Sequence, residues 1–228
     1  MKYIAKEGIK FVLAALFFSA VFLFFYVYST VPLLKYLFLA LFFLFFLFFV
    51  FNIYFFRDPE RKPDSILSAD EIVSPADGRI IFLQEVADER FLNGEALKIS
   101  IFMSLFNVHI NRIPVSGRVE KIIYNKGKFF SANLDKASSE NEFNGVILTL
   151  SGTGGRKSEK IAFVQIAGLI ARRIVCKIKE GDEVGTGNRY GLIKFGSRLD
   201  VYLPLSFKPN VKLKDKVYSG KTVLGKIA

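Results

Sequence analysis

Two long stretches without a charged side chain open this sequence, and they limit what it can become. No Asp, Glu, Lys or Arg occurs in the 24 residues between Lys10 and Lys35, or in the 21 between Lys35 and Arg57. Each stretch is long enough to cross about 30 Å of hydrocarbon as a helix. They predict two spans, about Phe11–Tyr28 and Leu37–Phe56. The link Ser29-Thr30-Val31-Pro32 is short and holds a helix breaker, so the spans should form a hairpin. Lys2, Lys6 and Lys10 flank one end, Arg57, Arg61 and Lys62 the other, and Lys35 alone lies in the turn. The positive-inside rule then puts both ends, and the rest of the chain, in the cytoplasm at the cell membrane. A cleaved signal peptide is the competing reading. A second apolar run comes at once and no small-residue cleavage site appears, which favours the anchor.

Composition changes abruptly after Phe56. Sixteen of the 26 Phe residues precede Arg57, whereas residues 57–228 carry 28 of the 32 Lys+Arg and 20 of the 21 Asp+Glu, about +8 net. That balance suits anionic partners: lipid headgroups, nucleic acid or acidic substrates. Nucleic acid is the poorer choice, since no zinc-finger spacing, recognition-helix pattern or aromatic RNA-binding signature is present. A membrane surface is the better one, because the N-terminus already places the chain there. The single Cys176 excludes an intrachain disulfide framework and a Cys-rich zinc site, and no metal site is expected. Within Ile174–Ile178 it reads as a small buried apolar residue.

The segment Arg57-Asp58-Pro59-Glu60-Arg61-Lys62-Pro63 is a polar linker, and the chain beyond it is rich in strand patterns. Leu97–Ile101 alternates apolar and polar residues with period two, as a half-buried strand does. Further candidates are Arg79–Val86, Arg118–Tyr124, Val146–Leu150, Ile161–Ile166, Ile174–Ile178 and Leu199–Leu203, punctuated by Gly, Pro, Asn and Asp. Leu134–Glu142 carries a weak helical pattern. The expected architecture is a membrane anchor over 1–56 and a mainly β domain over 57–228, an antiparallel sandwich or partly closed barrel. Pro75-Ala76-Asp77-Gly78-Arg79-Ile80 echoes Pro114-Val115-Ser116-Gly117-Arg118-Val119. Duplicated hammerhead halves would produce the echo; so would turn chemistry alone, because Gly serves both turns. Lys179–Gly187 resembles the hairpins of lipoyl- and biotinyl-type domains.

Three segments can carry chemistry. In Phe195-Gly196-Ser197-Arg198 the bland reading is a tight turn. The sharper one is that the Ser197 hydroxyl attacks the unshielded Gly196 carbonyl in a strained turn. In Ser74-Pro75-Ala76-Asp77-Gly78 the Asp has a bland reading as an Asx-type turn residue. The third is Asn107-Val108-His109-Ile110-Asn111-Arg112. His109 is the only histidine in the chain. A lone His among apolar residues is commonly structural, but here Asn107, Asn111 and Arg112 offer polar groups for a headgroup, and His109 suits general acid or base work near neutral pH.

Together with Phe56-Arg57-Asp58-Pro59, these strings in this order resemble the phosphatidylserine decarboxylase family, over roughly Arg57 to Leu203. The length and the Phe-Gly-Ser-Arg form are similar to its short branch in bacteria and archaea. The resemblance implies a proenzyme that cuts itself between Gly196 and Ser197 into a β chain (1–196) and an α chain (197–228). Ser197 becomes a covalent pyruvoyl group that forms a Schiff base with phosphatidylserine, releases CO2 and yields phosphatidylethanolamine. It implies that Asp77 supports cleavage and makes His109 the candidate proton donor. The pattern departs at Arg112, where longer members have a second histidine thought to pair with the Asp. Either His109 does both jobs, or Asp77 and turn strain suffice. Arg198 departs from the usual Thr, with little consequence expected. The ether lipid archaetidylserine is an alternative substrate with the same headgroup chemistry, and a membrane-anchored hammerhead adaptor is the non-enzymatic alternative.

Overall fold

The computed structural model describes residues 3–63, 66–127, 130–131, 140–150, 159–168, 173–194 and 197–228, in two compact units, Met1–Glu60 and Arg61–Ala228. The first is a helical hairpin of α1 (Lys6–Tyr28) and α2 (Pro32–Phe55). Pro32 sits at the first turn of α2, where its missing N–H costs nothing, so it starts the helix as well as ending the link. Small residues let the helices approach: Gly8, Val12, Ala15 and Ser19 of α1 are buried at i, i+4 and i+3 spacings. A Cβ at Gly8 would overlap the Phe56 ring. Phe18, Phe22 and Phe25 meet Phe45 and Phe38 across the seam at centroid distances of 5.3 Å. Most of the other large side chains face outward, as a lipid-facing surface requires. Both helices are long and apolar enough to cross a membrane.

The second unit is mainly β, as expected. Among the described residues it has fourteen strands: β1 (Glu71–Val73), β2 (Gly78–Asp88), β3 (Gly94–Met103), β4 (Ile110–Arg112), β5 (Gly117–Asn125), β6 (Phe143–Leu150), β7 (Lys160–Ala167), β8 (Ile174–Cys176), β9 (Glu183–Val184), β10 (Arg189–Ile193), β11 (Ser197–Leu203), β12 (Phe207–Pro209), β13 (Lys216–Val217) and β14 (Val223–Ile227). Eight form one curled antiparallel sheet in the order β13-β2-β3-β11-β7-β6-β5-β9, flanked by the small sheets β1-β14-β12 and β4-β10-β8. One pairing scheme occurs twice. Exchanging β1, β2, β3, β11, β12, β13 and β14 for β4, β5, β6, β7, β8, β9 and β10 maps every pairing onto another, with β11–β7 at the centre.

The match extends to single hydrogen bonds. The Ile80 N–H donates to Asp215 O and the Val119 N–H to Asp182 O; Lys214 N–H returns to Ile80 O and Gly181 N–H to Val119 O. The register slips after Ile80 in one half and after Val119 in the other. Val73 N–H donates to Pro114 O while Arg112 N–H donates to Pro75 O, tying the two echoing turns together. The echo in sequence therefore marks two halves of like topology. The second half runs continuously from β4 to β10, whereas the first is interrupted between β3 and β11, and Ser197 is where the chain returns to it.

The main core lies on one face of the large sheet and includes Ile80, Ile99, Ile101, Val146, Leu148, Phe163, Leu199 and Val201. A smaller cluster around Phe91, Phe143, Ile166 and Tyr202 lies on the other. Strands buried on both faces lose strict alternation: all seven residues of β11 are buried. Each expected strand is present, most of them longer than expected, while Ile174–Ile178 ends early at Cys176. The Lys179–Gly187 segment is a turn leading into β9, which pairs with β5 and not with itself. The Leu134–Glu142 pattern lies mostly outside the described residues.

Candidate active site

Several candidates gather at one end of the large sheet. Here β2 begins at Gly78, β3 ends at Met103, β11 begins at Ser197 and β7 ends at Ala167. Ser197 lies opposite both Met103 and Ala167. It is wholly buried, and its hydroxyl donates to Met103 Sδ at 3.3 Å. A thioether is a weak acceptor, so the hydroxyl is oriented without being strongly held. Gly196, the other half of the expected junction, lies outside the described residues, as does Phe195.

His109 immediately precedes β4, which pairs with β10, the strand leading to the junction. The ring is buried, and Nδ1 lies 2.9 Å from the Asn107 carbonyl oxygen. A carbonyl only accepts, so Nδ1 carries the hydrogen and Nε2 is the nitrogen that exchanges a proton in the neutral ring. The Asn107 side chain closes its own turn: Oδ1 accepts from the Ser104 N–H and Oγ, each at 2.8 Å. That turn holds the carbonyl on which His109 rests.

Asp77 stands just ahead of β2. Adjacent strands lie about 4.8 Å apart, so its backbone is roughly two spacings, or about 10 Å, from that of Ser197. Its carboxylate is buried and engaged. Arg61 donates to Oδ1 at 2.6 Å and Oδ2 at 2.8 Å, and the Ser219 N–H donates to Oδ1 at 2.8 Å. The fork-to-fork geometry is the strong form of this pair. Arg61 is a residue that sequence reasoning used only as a flanking charge. Arg112, at the position of the longer members' second histidine, is buried and donates from Nη1 to the Gly187 carbonyl. Its stem lies on Gly220, where an added Cβ would be 2.7 Å from Cδ and where φ is +68°. Asp77 and Arg112 thus rest against one turn, Tyr218–Gly220.

Asn111 is not presented to an open pocket. It is fully buried and belongs to a row of side-chain amides that the sequence did not reveal. Asn144 Nδ2 donates to Gln165 Oε1 at 3.3 Å, Gln165 Nε2 to Asn111 Oδ1 at 2.9 Å, and Asn111 Nδ2 approaches Met103 Sδ at 3.8 Å. The residues come from β6, β7 and β4, and no local pattern links them. A polar residue inside an otherwise apolar strand, as in Phe163-Val164-Gln165-Ile166, was the available signal. The structure thus brings Ser197, Met103 and Asn111 together. It puts His109 beside the strand that feeds the junction, and sets Asp77 and Arg112 against a neighbouring turn.

Comparison with known proteins bears on this arrangement. A family model described as phosphatidylserine decarboxylase matches residues 48–225. The phosphatidylserine decarboxylase proenzyme of Desulfotalea psychrophila is 46% identical over 224 residues, covering 98% of this chain and 96% of that protein. Proteins of the same name from Pelobacter propionicus and Cupriavidus taiwanensis are 52% and 48% identical over 179 and 175 residues; each match covers 77% of this chain, and 76% and 78% of those proteins. The chain belongs to the phosphatidylserine decarboxylase family.

Proposed function

We propose that the protein is a membrane-anchored phosphatidylserine decarboxylase that makes its own pyruvoyl group by cutting between Gly196 and Ser197. The observation that carries this reading is Ser197 itself: wholly buried, at the head of a central strand, with its hydroxyl on a weak sulfur acceptor. Relatives spanning most of this chain are named proenzymes, which fits a chain that must be processed.

In the proposed maturation, Ser197 Oγ bonds to the Gly196 carbonyl carbon and the peptide C–N bond breaks, giving an ester and a free amine. Loss of the Ser197 Cα proton expels the Gly196 carboxylate. Water then replaces the nitrogen, which leaves as ammonia, and the products are 1–196 and 197–228. Asp77 supports the cut by fixing the turn it shares with Arg112.

The surroundings of Ser197 suit the group formed there. Ser197 is buried, and the Met103 sulfur that takes its hydroxyl is also approached by the Asn111 amide. The group would supply a carbonyl that captures the substrate amine and draws away the electrons released with CO2. His109, with Nδ1–H fixed on Asn107 O, would take up a proton at Nε2 and, as the imidazolium, deliver it from there to the product carbon. Phosphatidylserine would stay in the bilayer, with the anchor holding the catalytic domain at its cytoplasmic face and basic residues attracting the anionic lipid. Family membership weighs against the adaptor alternative.

The experiment is an intact-mass measurement of purified protein with CO2 release from phosphatidylserine vesicles. The expected result is two fragments, the smaller beginning in a pyruvoyl group, and turnover. Ser197→Ala should give one uncut, inactive chain. Cutting of Ser197→Ala at the same bond would overturn the reading.

A further inference from the structure

The row of buried amides has a direction. Gln165 Nε2 also lies 3.5 Å from the Val175 carbonyl oxygen, which only accepts, so the nitrogen end of Gln165 must face Val175 and Asn111. That fixes the rest. Asn111 presents its oxygen to Gln165 and therefore its N–H2 toward Met103 Sδ, the atom that also takes the Ser197 hydroxyl. At the far end Asn144 donates to Gln165 Oε1 and lies against the Cys176 thiol. Every amide in the row donates toward Ser197.

Space for this row is made deliberately. Gly191 of β10 lies beside it, and a Cβ there would overlap the Val175 carbonyl and come within 3.1 Å of Gln165 Nε2. Gln165 and Asn111 are wholly buried and Asn144 is 4% exposed. Buried amides cost free energy unless satisfied, and an aligned row polarises its last N–H. A core needing only bulk would use aliphatic residues here, as it does at Leu199, which lies opposite Gln165 on β11.

We infer that Gln165 is a positioning residue for self-cleavage: it holds the Asn111 amide with its N–H2 toward Met103 Sδ, the atom that also takes the Ser197 hydroxyl, so that the row ends in a donor beside the serine whose attack develops negative charge. The inference rests on the maturation chemistry proposed above. The donor is neutral, so it favours the charged transition state without trapping a charged ground state. Gln165 acts through Asn111 and touches no reacting atom. This gives Asn111 a role at the cleavage junction and not at a lipid headgroup.

The test follows conversion of the full-length chain to its two fragments, synthesised in a cell-free system with phosphatidylglycerol-containing liposomes, pulse-labelled and read on denaturing gels. Three variants are compared with wild type at pH 8 and pH 5. The titratable or charged groups on the elements around Gln165 are Cys176 on β8, Arg189 and Tyr190 on β10, Arg112 on β4 with His109 beside it, and, on the opposite face of β11, Arg198, Asp200 and Tyr202; dividing by the wild-type profile removes their effects. Gln165→Met should slow cleavage about tenfold at both pH values. Gln165→Glu should slow it more at pH 8, where a carboxylate accepts from Asn111 and turns its amide round. At pH 5 the carboxyl, whose pKa burial raises, donates again, and cleavage should recover toward the Met variant or beyond. Asn111→Ala should cost about 10²-fold, the usual loss of one oxyanion donor. Thermal melts in a Ser197→Ala background report folding separately. If Gln165→Glu does not fold, the Met and Ala variants decide. Wild-type cleavage rates in folded Gln165→Met and Asn111→Ala would overturn the inference, as would a Gln165→Glu variant whose pH profile parallels wild type. Those results leave the Gly196–Ser197 cut intact, whereas failure of the parent reading removes the cut itself.

Discussion

Arg61 holds both carboxylate oxygens of Asp77, at 2.6 and 2.8 Å. A turn motif and a family resemblance both single out Asp77, and neither points to its partner sixteen residues upstream. The carboxylate is 4% exposed and the guanidinium 13%. Removing one member of such a pair leaves a buried charge, at a cost of about 3–5 kcal/mol. Arg61→Ala should therefore lower the melting temperature in a Ser197→Ala background and slow the appearance of fragments in the otherwise native chain. Arg61→Lys should restore part of the stability but not the two-pronged geometry. Arg61→Ala that matures at the native rate would separate Asp77's hold on its turn from the cutting reaction.

Asp77 and His109 should fail in different ways. His109→Ala keeps the Ser197 surroundings and loses the proposed proton donor, so the chain should still be cut while CO2 release falls by about 10²–10⁴. Asp77→Ala unties the turn shared with Arg112 and should impair cutting first. Fragments on a gel and CO2 release, measured on the same samples, resolve the two. An uncut His109→Ala chain beside a normally maturing Asp77→Ala chain would reverse the assignment.

The cut chain should not come apart. Strand β11, the first in the fragment 197–228, pairs along its length with β3 on one side and β7 on the other. Strands β12 and β14 of the same fragment complete a small sheet with β1, and β13 edges β2. Removing one peptide bond ahead of β11 leaves all of these in place. The fragments should co-elute in size exclusion and separate only in denaturant. Free 197–228 in a native sample would contradict the arrangement.

What could be read from the sequence depended on how local its cause was. The helical hairpin was legible because a long charge-free run is a statement about one segment alone. Strands such as Leu97–Ile101 were legible from alternation. Short strands such as β4, β9 and β13 were not, because two or three residues hold no period, and each pairs with a strand far away in sequence, β10, β5 and β2 respectively. Ser197, Asp77 and His109 stood out through short motifs. Arg61, Gln165 and Asn144 did not, since their contacts arise only when segments distant in sequence are brought together. Arg112 and Asn111 drew attention as headgroup ligands because sequence shows polarity but not burial, and both are inside.

Topology of the anchor is testable by labelling. Single cysteines at Tyr3 and Lys62, in a Cys176→Ser background, flank the two helices. With both ends cytoplasmic, neither should react with a membrane-impermeant maleimide until the cells are permeabilised. A cysteine at Thr30 in the turn should react in intact cells. Reaction at position 62 from outside would place the catalytic domain on the opposite face.

Arg198 offers the last separation of chemistry from stability. It follows Ser197 and departs from the family's usual Thr, a change expected to matter little. The structure gives it a structural burden instead. Its guanidinium is 2% exposed, donates to both oxygens of Asp200 at 2.6 and 3.0 Å, and donates to Ser100 Oγ at 3.0 Å. Lys98 shares the same carboxylate at 3.2 Å, and its pKa is held below the usual lysine range by burial, against the pull of Asp200. These groups lie on the alternate positions of β11 and β3, facing away from Ser197 and the main core. Arg198→Thr should consequently leave Asp200 with Lys98 and lower the melting temperature modestly, with cutting still complete. Asp200→Ala should be worse, by about 3–5 kcal/mol, because two buried cations lose their shared anion. Melts in the Ser197→Ala background measure stability, and fragment yield in the native background measures cutting. If Arg198→Thr melts like wild type yet is not cut, the side chain belongs to the cleavage chemistry after all.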